Sequence, residues 1–149
     1  MRGTSMCAAA NRGPIYRPHL LRQVISPSGK VMYESPPEVL RVVNASPAVW
    51  DVLQKSLVDV VHAPHGTGYA SRLETVKVAG KTATAQNPHG EDHAAFAAYA
   101  PAEAPTVAVV VYLENAGHGG SAAAPIARQV LEAYFGIASG KMVETQQDE

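Results

Sequence analysis

Lys81, Thr82 and Thr84 fall within one short stretch, Val78-Ala79-Gly80-Lys81-Thr82-Ala83-Thr84-Ala85-Gln86. An ammonium beside two hydroxyls, with only small residues around them, is chemistry for receiving an anion. Lys81 supplies a compact positive charge. Thr82 and Thr84 supply short hydroxyl donors that can hold a carboxylate. Small neighbours let a ligand backbone lie along the strand, as in strand addition. Strict alternation puts Lys81 and Ala83 on one face and Thr82 and Thr84 on the other. All four can serve one ligand only at a sheet edge, where the ligand meets the rim. Taken alone, the same residues also suit a solvated edge strand.

Other reactive side chains form weaker patterns. His62, His65, His89, His93 and His118 do not make the two-histidine helical pair of a zinc hydrolase. His62 and His65 are close, but Pro64 disrupts the turn between them. His93 starts a strand soon after the Lys81 stretch, which makes it a possible border of a cleft or a satisfied structural histidine. Glu91 and Asp92 sit in a glycine-containing turn and read as solvated. Gly117-His118-Gly119-Gly120 lacks the Lys-Ser/Thr ending of a phosphate loop. Cys7 is the only cysteine, which excludes an intrachain disulfide and a site of several thiolates. No metal and no cofactor is implied.

The elements that must carry these residues follow from periodicity and punctuation. The chain has 149 residues and a formal net charge of −1, which suits one domain and gives no footprint for nucleic acid. Residues 6–10 read as the last turn of a helix, closed by Asn11-Arg12-Gly13-Pro14. Residues 20–25 and 30–33 read as a hairpin around Ser26-Pro27-Ser28-Gly29, and Ser35-Pro36-Pro37 breaks the pattern. Ser46 as N-cap and Pro47 open a helix with Val49, Leu53, Leu57, Val60 and Val61 along one face. Trp50 reads as core or anchor.

Residues 67–73 read as a loop. Three strands follow, over 75–85, 93–99 and 106–113. The last is apolar on both faces, which predicts a central strand covered on both sides. Residues 117–120 read as a flexible connection. Residues 121–135 read as a helix with Ile126, Val130, Leu131 and Tyr134 along one side and Gly136 past its end. The expected fold is an α/β (α+β) sandwich with an antiparallel sheet. Residues 1–138 form the domain and 139–149 a polar, disordered tail.

The Lys81 stretch resembles the Lys-Thr-Gly motif of penicillin-recognising serine enzymes, which is paired there with Ser-x-x-Lys and Ser-x-Asn. The likeness continues in order along the chain. It includes Ala8-Ala9-Ala10-Asn11-Arg12-Gly13 and Tyr16-Arg17-Pro18-His19-Leu20, then Gly66-Thr67-Gly68. It includes His93, Phe96 and Tyr99-Ala100-Pro101. It ends with residues 107–115 and Gly117-His118-Gly119-Gly120-Ser121-Ala122-Ala123-Ala124-Pro125-Ile126-Ala127. Together these resemble the C-terminal part of the transpeptidase domain of class B penicillin-binding proteins, with the penicillin-binding protein 2 group the best fit.

The resemblance implies a peptidoglycan D,D-transpeptidase at the periplasmic face of the bacterial inner membrane. A serine would attack the penultimate D-Ala of a stem peptide, and β-lactams would acylate the same serine. Lys81 would orient the substrate, while Thr82, Ala83 and Thr84 would bind the D-Ala-D-Ala terminus. The Thr84 backbone N–H would donate to the oxyanion, a bond worth roughly 3–4 kcal/mol elsewhere.

No lysine has a serine three residues before it, and no asparagine a serine two before it. The nucleophile is therefore expected in an N-terminal half outside this chain. That half is one implied partner, and cell-elongation proteins are others. Ala83 and Ala98 stand where the family has glycine, and Ala95 where it has an aromatic. The alternative reading is a degenerate, non-catalytic fragment that binds peptidoglycan peptides or a partner.

Overall fold

The structure is a computed structural model that describes residues 3–137. The elements run α1 (Gly3–Ala10), β1 (Pro14–Tyr16), β2 (Gln23–Ile25), β3 (Val31–Glu34), β4 (Val39–Val42), α2 (Pro47–His62), β5 (Ala79–Ala85), β6 (His93–Ala100), β7 (Val107–Leu113) and α3 (Ala124–Phe135). A 3₁₀ turn, Tyr69–Ser71, precedes β5, and a π-helical turn, Gly119–Ala123, leads into α3. The expected polar tail, 139–149, lies outside the described residues.

An antiparallel sheet in the order β5-β6-β7 organises the site. Its middle strand is β6, buried from Ala94 to Ala100. Alanine is a weak strand former, but on β6 it lets helices approach closely from both sides. One face carries Phe96 and Ala98 against Val61, Val78, Ala127 and Leu131. The other carries Ala97 and Tyr99 against Met6, Ala9 and Leu57. This is the α/β sandwich that the sequence predicts.

Three expectations are corrected. The strand expected at the centre, 106–113, is β7 and lies outermost in this sheet. Its apolar residues alternate between buried Val109 and Val111 and exposed Val110 and Tyr112, because α1 shields the second face only in part. On α3 the buried residues are Ala124, Ala127, Leu131 and Glu132, while Ile126, Val130 and Tyr134 face outward. Small alanines let α3 lie against alanine-rich β6, and Glu132 joins that face by accepting from Arg128 at 2.8 Å. On α2 the buried face is Trp50, Leu57 and Val61; Val49 and Leu53 are exposed. The helix turns that way because it packs beside β5.

Local signals fare better at the helix ends. Pro47 opens α2 as expected, although Ser46 makes no side-chain cap bond. Its carbonyl instead accepts from Val49 N–H at 3.0 Å. Gly136 closes α3 in the left-handed conformation, φ 65°, where glycine carries no Cβ penalty.

The hairpin of β2 and β3 forms around residues 26–29, with register irregular at Val24/Ile25. Strand β4 was not foreseen beyond the prolines. It pairs with β1, aligning Ile15 with Arg41, and Arg17 grips Glu38 beside it at 2.6 Å.

Candidate functional site

Strand β5 is clasped over its first residues and open over the rest. Helix α2 runs beside its start, with Val61 packed among the same residues as Val78 and Leu57 among those of Ala79. His62, the last residue of α2, accepts the Val78 N–H on Nε2 at 3.0 Å. The ring proton therefore resides on Nδ1. Burial, then the positive charges of Arg72 and Lys77, lower the His62 pKa, with Glu103 opposing. Val78, Ala79 and Gly80 are buried, whereas Lys81 is exposed. The Lys81 stretch thus occupies a sheet edge, the condition under which its two faces can serve one ligand.

Cross-strand register fixes where each side chain points. Thr82 aligns with Phe96 and Thr84 with Ala94, residues of the face that α3 covers; Lys81 aligns with Ala97 and Ala83 with Ala95 on the opposite face. Thr82 and Thr84 line a groove of about 620 Å³ that Thr67, Tyr69, His118 and Gly119 complete. The Thr82 and Thr67 hydroxyl oxygens are 2.9 Å apart. Lys81 is outside the groove. Its ammonium donates to the Thr82 carbonyl at 2.7 Å, which directs that carbonyl to the open edge. In an antiparallel strand, backbone groups of every second residue share a direction. The Thr84 N–H therefore faces the same open edge.

Besides Lys81, two sequence candidates lie outside the groove. Ala83 does not line the groove; register turns its methyl to the other face, against Ala95. The groove side of Ala83 is covered instead by Gly119. A Cβ at Gly119 would come within 2.2 Å of the Ala95 carbonyl oxygen and 2.5 Å of the Ala83 carbonyl oxygen, so only glycine fits. The segment read as a flexible connection is therefore a packed turn against the sheet.

His93, the candidate cleft border, is also outside the groove. Its Nδ1 accepts the Asn115 N–H at 3.1 Å and its ring lies 5.7 Å from that of Tyr112. It ties β6 to the end of β7. Among the described residues no three His, Cys, Asp or Glu side chains gather as metal ligands.

Sequence reasoning missed Thr67, Tyr69 and His118 as groove residues. The available signals were the glycines around Thr67 and His118, which mark close backbone approach, but glycines do not say what is approached.

Residues 5–132 match the penicillin binding protein transpeptidase domain family. The peptidoglycan D,D-transpeptidase MrdA of Haemophilus influenzae is 37% identical over 143 residues, covering 84% of this chain and 22% of the relative. The chain thus spans under a quarter of that relative's length. The D,D-transpeptidase domain of an Eggerthella lenta peptidoglycan glycosyltransferase superposes with a TM-score of 0.76 at 30% identity, covering 91% of this chain and 31% of that one. Penicillin-binding protein A of Mycobacterium tuberculosis, an imipenem acyl-enzyme complex, gives 0.74 at 32% identity, covering 89% and 29%. The chain belongs to the penicillin-binding protein transpeptidase domain family and corresponds to the C-terminal part of that domain.

Proposed function

We propose that this chain supplies the substrate-binding edge of a serine-type peptidoglycan D,D-transpeptidase, acting at the periplasmic face of the bacterial inner membrane. One observation carries the reading. The open part of β5 presents the Lys81 ammonium, the Thr82 and Thr84 hydroxyls and the outward backbone of Thr82 and Thr84 along a single edge. An extended peptide ending in D-Ala-D-Ala can lie there with its carboxylate on the hydroxyls and its backbone paired to the strand. The Thr84 N–H is then a donor for the oxyanion that develops at the penultimate carbonyl. Lys81 adds positive charge beside that position. β-Lactams, which carry a carboxylate next to a strained amide, fit the same edge. The serine and its lysine come from the N-terminal half of the domain, so this chain alone forms no acyl-enzyme.

The test is labelling with a fluorescent penicillin. The chain alone should remain unlabelled. When it is produced together with an N-terminal half bearing Ser-x-x-Lys, that half should be labelled, and Lys81→Ala should abolish the label. Labelling of the chain alone, or labelling indifferent to Lys81, would overturn the reading.

A further inference from the structure

We propose that Thr67 is a positioning residue of the groove, holding the Thr82 hydroxyl as a donor aimed at a carboxylate. The proposal rests on the reading of Thr82 as a carboxylate ligand and adds a residue which that reading does not require. The two hydroxyl oxygens are 2.9 Å apart, within O–H···O range. A hydroxyl has one proton to give and can also accept. With no anion present, either threonine can donate to the other. A carboxylate only accepts, so the Thr82 hydroxyl donates its hydrogen bond to it. The Thr82 oxygen is then free to accept, and Thr67 is the hydroxyl within reach. The outcome is a chain in which Thr67 donates to Thr82 and Thr82 donates to the carboxylate, each bond polarising the next.

The backbone around Thr67 is built to keep it there. Gly68 N–H donates to the Val60 carbonyl at 2.9 Å and Gly66 N–H to that of Ala63 at 2.9 Å. These bonds tie the loop to the end of α2, the helix that clasps β5. From the other side Gly120 presses on Thr67 so closely that a Cβ there would lie 2.3 Å from the Thr67 carbonyl oxygen. Thr67 thus stands between two packed backbones, and Thr82 stands on a paired strand. The hydroxyl contact joins fixed points rather than two roaming surface side chains.

The test uses the isotope-labelled chain and an N-acetylated peptide ending in D-Ala-D-Ala, with its C-terminal amide as control. Amide shifts of Thr82 and Thr84 report binding, and spectral dispersion reports folding. Thr67→Val keeps the shape and removes the hydroxyl, and is expected to weaken binding of the free acid by about 3- to 10-fold. Amide binding should not change. Thr67→Ser should bind the acid like the parent chain. If Thr67→Val binds the acid normally while Thr82→Val does not, the role of Thr67 is overturned and Thr82 keeps its own. Equal loss in Thr67→Val and Thr67→Ser overturns the hydroxyl role in favour of packing. A parent chain that fails to prefer acid over amide overturns both readings at once.

Discussion

Lys81 Nζ donates to the carbonyl of its neighbour Thr82 at 2.7 Å, and both groups lie on the edge of β5 that no described strand pairs with. The bond spends the ammonium locally while the edge is empty. A ligand that pairs its backbone with Thr82 competes for that carbonyl and releases Lys81 to a carboxylate or an oxyanion. Lys81→Ala should therefore weaken binding of a D-Ala-D-Ala peptide about 10-fold or more, the scale of a charge-assisted bond. Lys81→Arg should restore only part, since a planar guanidinium does not replace a point charge. Amide-shift titration would measure both, and unchanged affinity in Lys81→Ala would refute the assignment.

His62 makes the clasp on β5 sensitive to pH. Its folded pKa lies below the ordinary 6.5, so the unfolded chain binds the proton more readily. Stability from this group is complete above about pH 6.5 and falls as pH drops through the lower, folded value. Protonation also removes the acceptor of the Val78 N–H. The protection factor of the Val78 amide, its exchange rate referred to that of an unstructured chain at the same pH, should fall below that pH in the parent chain. Replacement by Gln, which keeps an acceptor without titrating, should flatten the profile. A Val78 protection factor that does not change with pH in the parent would rule the mechanism out.

Gly119 admits no side chain above the Ala83–Ala95 pair. Gly119→Ala should cost about 1–3 kcal/mol, the range for overpacking a closed site. The same variant should push the turn away from Thr82 and Thr84 and lower peptide affinity. Denaturant melts and titration together check it; a melt unchanged within error would contradict the packing.

The Tyr99 hydroxyl is buried and has no hydrogen-bond partner among the described residues. Burial raises its pKa, and Arg12 pulls the other way. Replacing an unsatisfied polar group by an apolar one of the same shape is neutral or favourable. Tyr99→Phe should leave the melting temperature unchanged or raise it, by up to about 1 kcal/mol of stability. A marked loss would reveal a partner for the hydroxyl.

Among the described residues strand β7 has an unpaired edge, and it runs Val107–Leu113 without a charge or a proline. Natural edges usually carry such guards against pairing with other chains. The isolated chain should therefore be of low stability and self-associate with concentration. Val110→Lys, at an exposed position, should reduce that association without affecting the groove. Sedimentation velocity would show it, and a monomeric parent with a high cooperative melt would contradict it.

What could be read from the sequence was local. Pro47, Gly136 and the turn around Gly29 act through their own backbone preferences, so the ends they mark are where expected. The edge position of Lys81 was legible only as a condition, because which strand lies outermost depends on pairing between distant segments. Helix faces failed for a related reason. On α3 the large residues Ile126, Val130 and Tyr134 look like a core stripe, but β6 presents alanines, and close approach favours Ala124 and Ala127 on the buried side. Thr67 carried no signal of its own, since its meaning arises from Thr82, 15 positions later in the chain.

The division of β5 by α2 has a corollary for any ligand of that strand. A peptide docking on that strand finds a rail whose near end is set by His62, the residue where the helix stops. Ending α2 before His62 would free the Val78 N–H and lengthen the rail toward the start of the strand. Under the proposed function, the end stop for a docked peptide is a helix outside the groove that binds it.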